Sequence, residues 1–123
     1  MIIVKSKKNQ EQLINPYNDE MIAVIDTETN WYDEVMSIGV VVATTNNFSI
    51  IDKKYYILAP EYQTGGMYSE VIGIEKNKGN IYKRKQAINA IIEFLKNKNV
   101  NKIFAYNALF DFRHLSELDC FLL

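Results

Sequence analysis

Asp26 and Glu28 stand two residues apart in VIDTETN (24–30), directly after an apolar run. If that run is a strand, side chains at i and i+2 leave it on one face, so both carboxylates can converge on one ion. Thr27 and Thr29 add hydroxyls alongside, and together these are the hard oxygen ligands that Mg²⁺ or Mn²⁺ takes. An acidic pair after a strand is ordinarily a solvated turn, so the pair needs a third partner. Asp111 is the candidate, at the start of a predicted helix, where the helix N-terminus favours an acid on structural grounds alone. Strand ends and helix starts line the same edge of an α/β sheet, which would bring Asp111 to Asp26 and Glu28 from a distant segment.

The elements that must position these residues are readable from periodicity. The stretch 1–20 mixes a short apolar start with turn-forming residues and reads as an N-terminal arm; 21–123 reads as one domain. Met21 to Ile25 and Val35 to Ala43 are apolar runs rich in branched residues, expected as strands. Asn46-Asn47 separates the second run from Phe48 to Leu58, so the two predict an antiparallel pair joined by a tight turn. Residues 59–80, with Pro60, Gly65, Gly66, Gly73 and Gly79, read as a long connection holding a short helical piece. Ala87, Ile88, Ile91, Ile92, Phe94 and Leu95 recur at helical spacing. Ile103 to Tyr106 is a short strand, and Asn107 is placed to cap a final helix over 109–118. The fold class is α/β: three antiparallel strands, then helix-strand-helix, in a mixed sheet with helices packed on it.

Composition narrows the function classes. Hydrophobic residues make up 48% of the 123 positions and charged residues 24%, enough apolar surface for one packed core. The net charge of −1 argues against polyanion binding by overall charge, so any nucleic-acid contact must be local, with Lys83-Arg84-Lys85 as the basic cluster or as the solvated entry to a helix. Cys120 is the lone cysteine, which excludes an internal disulfide and points to an intracellular, cytoplasmic chain. No apolar run reaches the roughly 20 residues of a membrane span. Trp31, Tyr32, Met67 and Tyr68 could stack on a base; their ordinary role is packing, and Trp31 stands out because it follows the acidic motif.

VIDTETN together with YNALFDF (106–112) resembles the first two motifs of the DEDD family of 3′ to 5′ exonucleases, the DnaQ-like branch of the ribonuclease H-like fold. Asp26 and Glu28 match its Asp-x-Glu, and Asn107, Phe110 and Asp111 match its Asn-x-x-Phe-Asp. The similarity runs from about Met21 to Glu117 and includes the order of elements. It implies a ribonuclease H-like mixed sheet and hydrolysis of the terminal phosphodiester of DNA or RNA, releasing nucleoside monophosphates. It also implies two divalent cations, Mg²⁺ or Mn²⁺, with Asp26 bridging both, Glu28 on one and Asp111 on the other or helping through a bound water. Thr27, Thr29, Trp31, Asn107 and Phe110 would then contact a single strand or a 3′ end.

The family's third motif, His-x4-Asp or Tyr-x3-Asp, brings a fourth carboxylate and a general base. His114 and Asp119 have the spacing. On one helix, however, Asp111 and Asp119 stand about 12 Å apart along the axis, too far to share a metal pair. His114 is therefore expected to be an exposed helix residue, and the chain to lack the final strand and helix that carry the third motif. Such a chain would be inactive by itself, completed by a second chain through its incomplete sheet edge, or a non-catalytic nucleic-acid-binding or protein-interaction module.

Overall fold

The computed structural model describes residues 3–5, 20–67, 79–105 and 113–114, with residues 3–5 described as backbone. The expected helix over 109–118, apart from its residues 113 and 114, and Tyr68, Asn107, Phe110, Asp111, Asp119 and Cys120 lie outside the described residues. The strands are β1 (Ile3–Lys5), β2 (Met21–Thr29), β3 (Val35–Thr44), β4 (Ile50–Ala59), β5 (Ile81–Lys83) and β6 (Val100–Ala105). Two helices join them, α1 (Glu61–Thr64) and α2 (Arg84–Asn97). The described strands form one mixed sheet in the order β1-β6-β2-β3-β4-β5. β2, β3 and β4 form an antiparallel meander, while β6 runs parallel to β2 and β5 parallel to β4. No described helix is long and apolar enough to cross a membrane.

Alternation along β2 decides what each of its residues does. Ala23, Ile25 and Thr27 point to one face and are buried; their antiparallel partners Val42, Val40 and Ile38 are buried with them. Tyr56 and Leu58 of β4 extend this surface, and α2 covers it with Ala87, Ile91, Phe94 and Leu95. Those four fall at i, i+4, i+7 and i+8, one stripe of a helix. Each buried aliphatic side chain contributes roughly 1.5 to 3 kcal/mol, so this one face holds the meander, β6 and α2 together.

Helix α2 starts where the Lys83 backbone N–H donates to the Gln86 side chain at 3.3 Å, and its first residues Lys83, Arg84 and Lys85 are exposed. It stops where Lys98 N–H returns to the Phe94 carbonyl at 3.1 Å and Asn99 turns left-handed with φ 55°. Asn tolerates that conformation, and the chain reverses straight into β6.

The first strand is longer than expected: pairing continues through Glu28↔Ser37 and Thr29↔Val35. Asp26 and Glu28 are therefore inside a strand rather than after its end, paired with Gly39 and Ser37 of β3, and Ile25 just before them is paired on both sides. β1 and β5 were not expected, because three residues are too few to display a period.

Ile25 is fully buried between β3, β6 and α2. Ile25→Ala should lower the unfolding free energy by about 2 to 5 kcal/mol, and Ile25→Val by about 0.5 to 1.5 kcal/mol, as read from the midpoint of urea unfolding followed by circular dichroism.

Candidate functional site

The residues between those that face the core are the candidates for chemistry. Asp26 is exposed and Glu28 half-buried, on the β2 face opposite Ile25 and Thr27. The expectation that Thr27 and Thr29 stand beside the carboxylates is corrected by the same alternation: Thr27 is buried among the core residues, and Thr29 follows it on that face. On the carboxylate face the register sets Glu28 beside Ser37, and Asp26 beside Gly39; Gly39 in turn pairs with Tyr55 of β4. Ser37 Oγ donates to Glu28 Oε2 at 3.4 Å, and the Ser37 hydroxyl also interacts with the Tyr55 phenol.

Burial pushes the Glu28 carboxyl above its ordinary value of 4.5, helped by repulsion from Asp26 and opposed by the Ser37 hydroxyl. Burial likewise raises the Tyr55 phenol, with the Glu28 and Asp26 charges adding to it and Ser37 acting against it. Asp26, Glu28, Ser37 and Tyr55 thus form one electrostatic group. Sequence reasoning missed Ser37, Gly39 and Tyr55; the signal lies in two hairpin registers, set by the turn between Thr29 and Val35 for Ser37 and Gly39 and by the turn between Thr44 and Ile50 for Tyr55.

The segment after β2 is built on Asn30, which is buried. Its Oδ1 accepts from the backbone N–H groups of Tyr32 at 2.9 Å and Glu34 at 3.0 Å. Its Nδ2 donates to Glu34 Oε1 and to the Glu61 carbonyl, each at 3.0 Å. Trp31 N–H adds a bond to the Gly65 carbonyl at 3.0 Å. At Gly66 a Cβ would stand 2.6 Å from the Thr29 carbonyl oxygen, so only glycine lets the segment after α1 approach this closely. Trp31 and Tyr32 are 66% and 75% exposed, and Met67 is exposed with them; none of the three takes the packing role that is ordinary for such residues.

His114 overturns a second expectation. It is 0% exposed, and its Nε2 lies 2.9 Å from Asp33 Oδ1, while Arg113 Nη2 donates to Asp33 Oδ2 at 3.2 Å. Chiefly through the His114 hydrogen bond, Asp33 is held below its ordinary value of 3.8. The histidine therefore ties residues 113–114 to the turn after β2, which a helical spacing rule could not reveal because Asp33 lies 81 positions away. Asp33 and His114 border a cleft of about 240 Å³ shared with Tyr32, Glu34, Val35, Glu61 and Arg84.

Among the described residues no group of three His, Cys, Asp or Glu side chains gathers as metal ligands. Asp26 and Glu28 supply a pair: two mutually repelling carboxylates on one strand face, a donor set whose charge and hardness fit Mg²⁺ or Mn²⁺. Asp111 lies outside the described residues; β6, the last described strand before it, ends at Ala105, paired with Ile25. No protein-family model, curated protein or solved structure matches the chain.

Glu28 gives a pH test. A carboxyl whose folded pKa is raised binds its proton more tightly in the native state, so its ionisation costs stability as pH rises from the ordinary value through the folded one. Glu28→Gln should therefore be more stable than the parent at pH 7 in metal-free buffer. The gain should shrink as pH falls and vanish below the ordinary 4.5, measured by chemical denaturation across pH 3.5 to 7.

Proposed function

We propose that this chain is a metal-dependent 3′ to 5′ exonuclease domain of the DnaQ-like, ribonuclease H-like type, acting on the terminal phosphodiester of DNA or RNA. The observation that carries the reading is positional. The Asp-x-Glu pair occupies one face of β2, and β6, the strand that precedes YNALFDF in the chain, pairs with β2 up to Ile25↔Ala105. The strand order β6-β2-β3-β4, with a parallel first pair and an antiparallel meander, is compatible with that fold. The exposed Trp31 and Tyr32, five and six residues after Asp26, support a role in stacking on an unpaired base.

In this reading Asp26, Glu28 and Asp111 hold the divalent cations. Bound cations would supply a water of lowered pKa and neutralise the phosphate and the leaving oxygen. The remaining work belongs to the chain. β2 fixes Asp26 and Glu28 by their pairing with Gly39 and Ser37 of β3, which removes the cost of gathering two like charges at the moment of binding. Ser37, held rigidly at 1% exposure, donates to Glu28 and so fixes which carboxylate oxygen remains for a ligand. The turn built on Asn30 presents the aromatic pair at the end of the same strand.

The test uses a 3′-labelled oligonucleotide, as DNA and as RNA. The expected result is Mn²⁺-dependent release of mononucleotides, reduced at least ~10³-fold by Asp26→Asn, the order of effect seen when a preorganised electrostatic group is removed. Binding of the oligonucleotide without turnover, unchanged in Asp26→Asn, would instead identify a nucleic-acid-binding module. Metal binding has its own readout: at a hundredfold excess over its Kd, Mn²⁺ should stabilise the parent chain by about 2.7 kcal/mol, and Asp26→Asn should lose most of that shift in thermal unfolding.

A further inference from the structure

Asp26, Gly39 and Tyr55 occupy one transverse row of the sheet, each directly paired with the next. Residues paired in this way share a face. Two strand spacings separate the outer members, about 9.6 Å, and the residue between them has no side chain. A Cβ built on Gly39 would meet Tyr55 Cδ1 at 3.9 Å and the Asp26 carbonyl oxygen at 4.0 Å, with nothing nearer. Among the described residues, Gly39 thus leaves a lane between the Tyr55 ring and Asp26. The neighbouring row, Glu28, Ser37 and Ile57, closes one side of that lane with a hydroxyl bonded to a carboxylate. Tyr55 is only partly buried, and its ring packs against the small cluster of Met36 and Ile57, so its position is fixed while it remains accessible.

A phenol retains its proton at neutral pH and is therefore a donor beside two acceptor-only carboxylates. Ser37 gives its one proton to Glu28, so it meets the phenol as an acceptor, and an anion over Gly39 would take over the phenol's hydrogen bond. Of the groups this row presents, the phenol is the one able to donate a hydrogen bond to an anion. We propose that Tyr55 is a substrate-contacting residue of this centre, its phenol donating a hydrogen bond to a non-bridging oxygen of a phosphate lying over Gly39. The inference rests on the reading of Asp26 and Glu28 as a phosphodiester-cleaving centre, and it makes the centre span three strands. The partners on β2 attract the cations, and the partner on β4 contacts the phosphate. Gly39 is the position where any side chain would occupy the phosphate's space.

The probe is adenosine 5′-monophosphate with Mg²⁺, whose binding is measured by calorimetry alongside turnover of the labelled oligonucleotide. Tyr55→Phe keeps the ring and its packing and removes only the donor; it should weaken nucleotide binding about tenfold, the worth of one hydrogen bond, and lower kcat/KM by at least as much. The Mn²⁺ stabilisation should be unchanged, because the carboxylates are intact. Gly39→Val, a residue suited to a strand, should abolish nucleotide binding while unfolding cooperatively, and it decides the matter if Tyr55→Phe fails to fold. Parental nucleotide affinity in either folded variant overturns the inference and leaves the exonuclease reading standing if Asp26→Asn is inactive. Full turnover by Asp26→Asn removes the exonuclease centre, and the role proposed for Tyr55 falls with it.

Discussion

The pairing of β2 with a neighbour on each side is the constraint on which everything else depends. β3 fixes it antiparallel from Met21 to Thr29 and β6 fixes it parallel from Met21 to Ile25. A strand bonded on both edges cannot slip, because a shift of one residue would exchange its two faces. For β2 that exchange would bring Asp26 and Glu28 under α2 and turn Ile25 outward. Moving two carboxylates into that apolar layer costs several kcal/mol each, so the core and the carboxylate face specify the same register from opposite sides.

The same register explains why so small a segment can do two jobs. Within IDTE, Ile25 and Thr27 belong to the core while Asp26 and Glu28 belong to the opposite, carboxylate face. Ser37 and Gly39 on β3 are the paired positions of that face, alternating with Ile38 and Val40 in the core. At the end of β2 a different device takes over: one buried amide, Asn30, satisfies two backbone N–H groups of the turn and reaches across to the Glu61 carbonyl. Without it those groups would be left unpaired next to the core. The turn it shapes carries Asp33 in the left-handed region, φ 62°, with its carboxylate placed to receive His114 and Arg113.

Legibility in the sequence followed the range of the interactions. The meander and α2 came through because their signals are local: branched apolar runs for β2, β3 and β4, and Ala87, Ile91, Phe94 and Leu95 at helical spacing. The Asp26 and Glu28 pair was legible for the same reason, since its shared face needs only the period of a strand. Thr27 was misread because its hydroxyl drew more weight than the same period, which assigns it to the core. β1 and β5, three residues each, exist through pairing with β6 and β4 rather than through any pattern of their own. Tyr55 and His114 were out of reach in another sense. Tyr55 joins Asp26 only through two successive registers, and His114 is buried by a partner far along the chain, so its lone polar ring read as a surface residue.

Magnitudes show why this sheet can carry an acidic pair on one face. Two unit charges ~6.8 Å apart, the rise of two strand residues, repel by roughly 0.6 kcal/mol in water and 2.4 kcal/mol at an effective dielectric of 20. Burying Ile25, the residue beside them, returns roughly 1.5 to 3 kcal/mol, and Ile38, Val40 and Val42 are equally buried across from it. The repulsion is therefore offset within two or three residues of where it arises, on the other face of the same strands. That leaves the carboxylates held close by backbone pairing rather than by any attraction between themselves. A cation bound there, as proposed, would have no side-chain gathering to drive, and more of its attraction would appear as affinity.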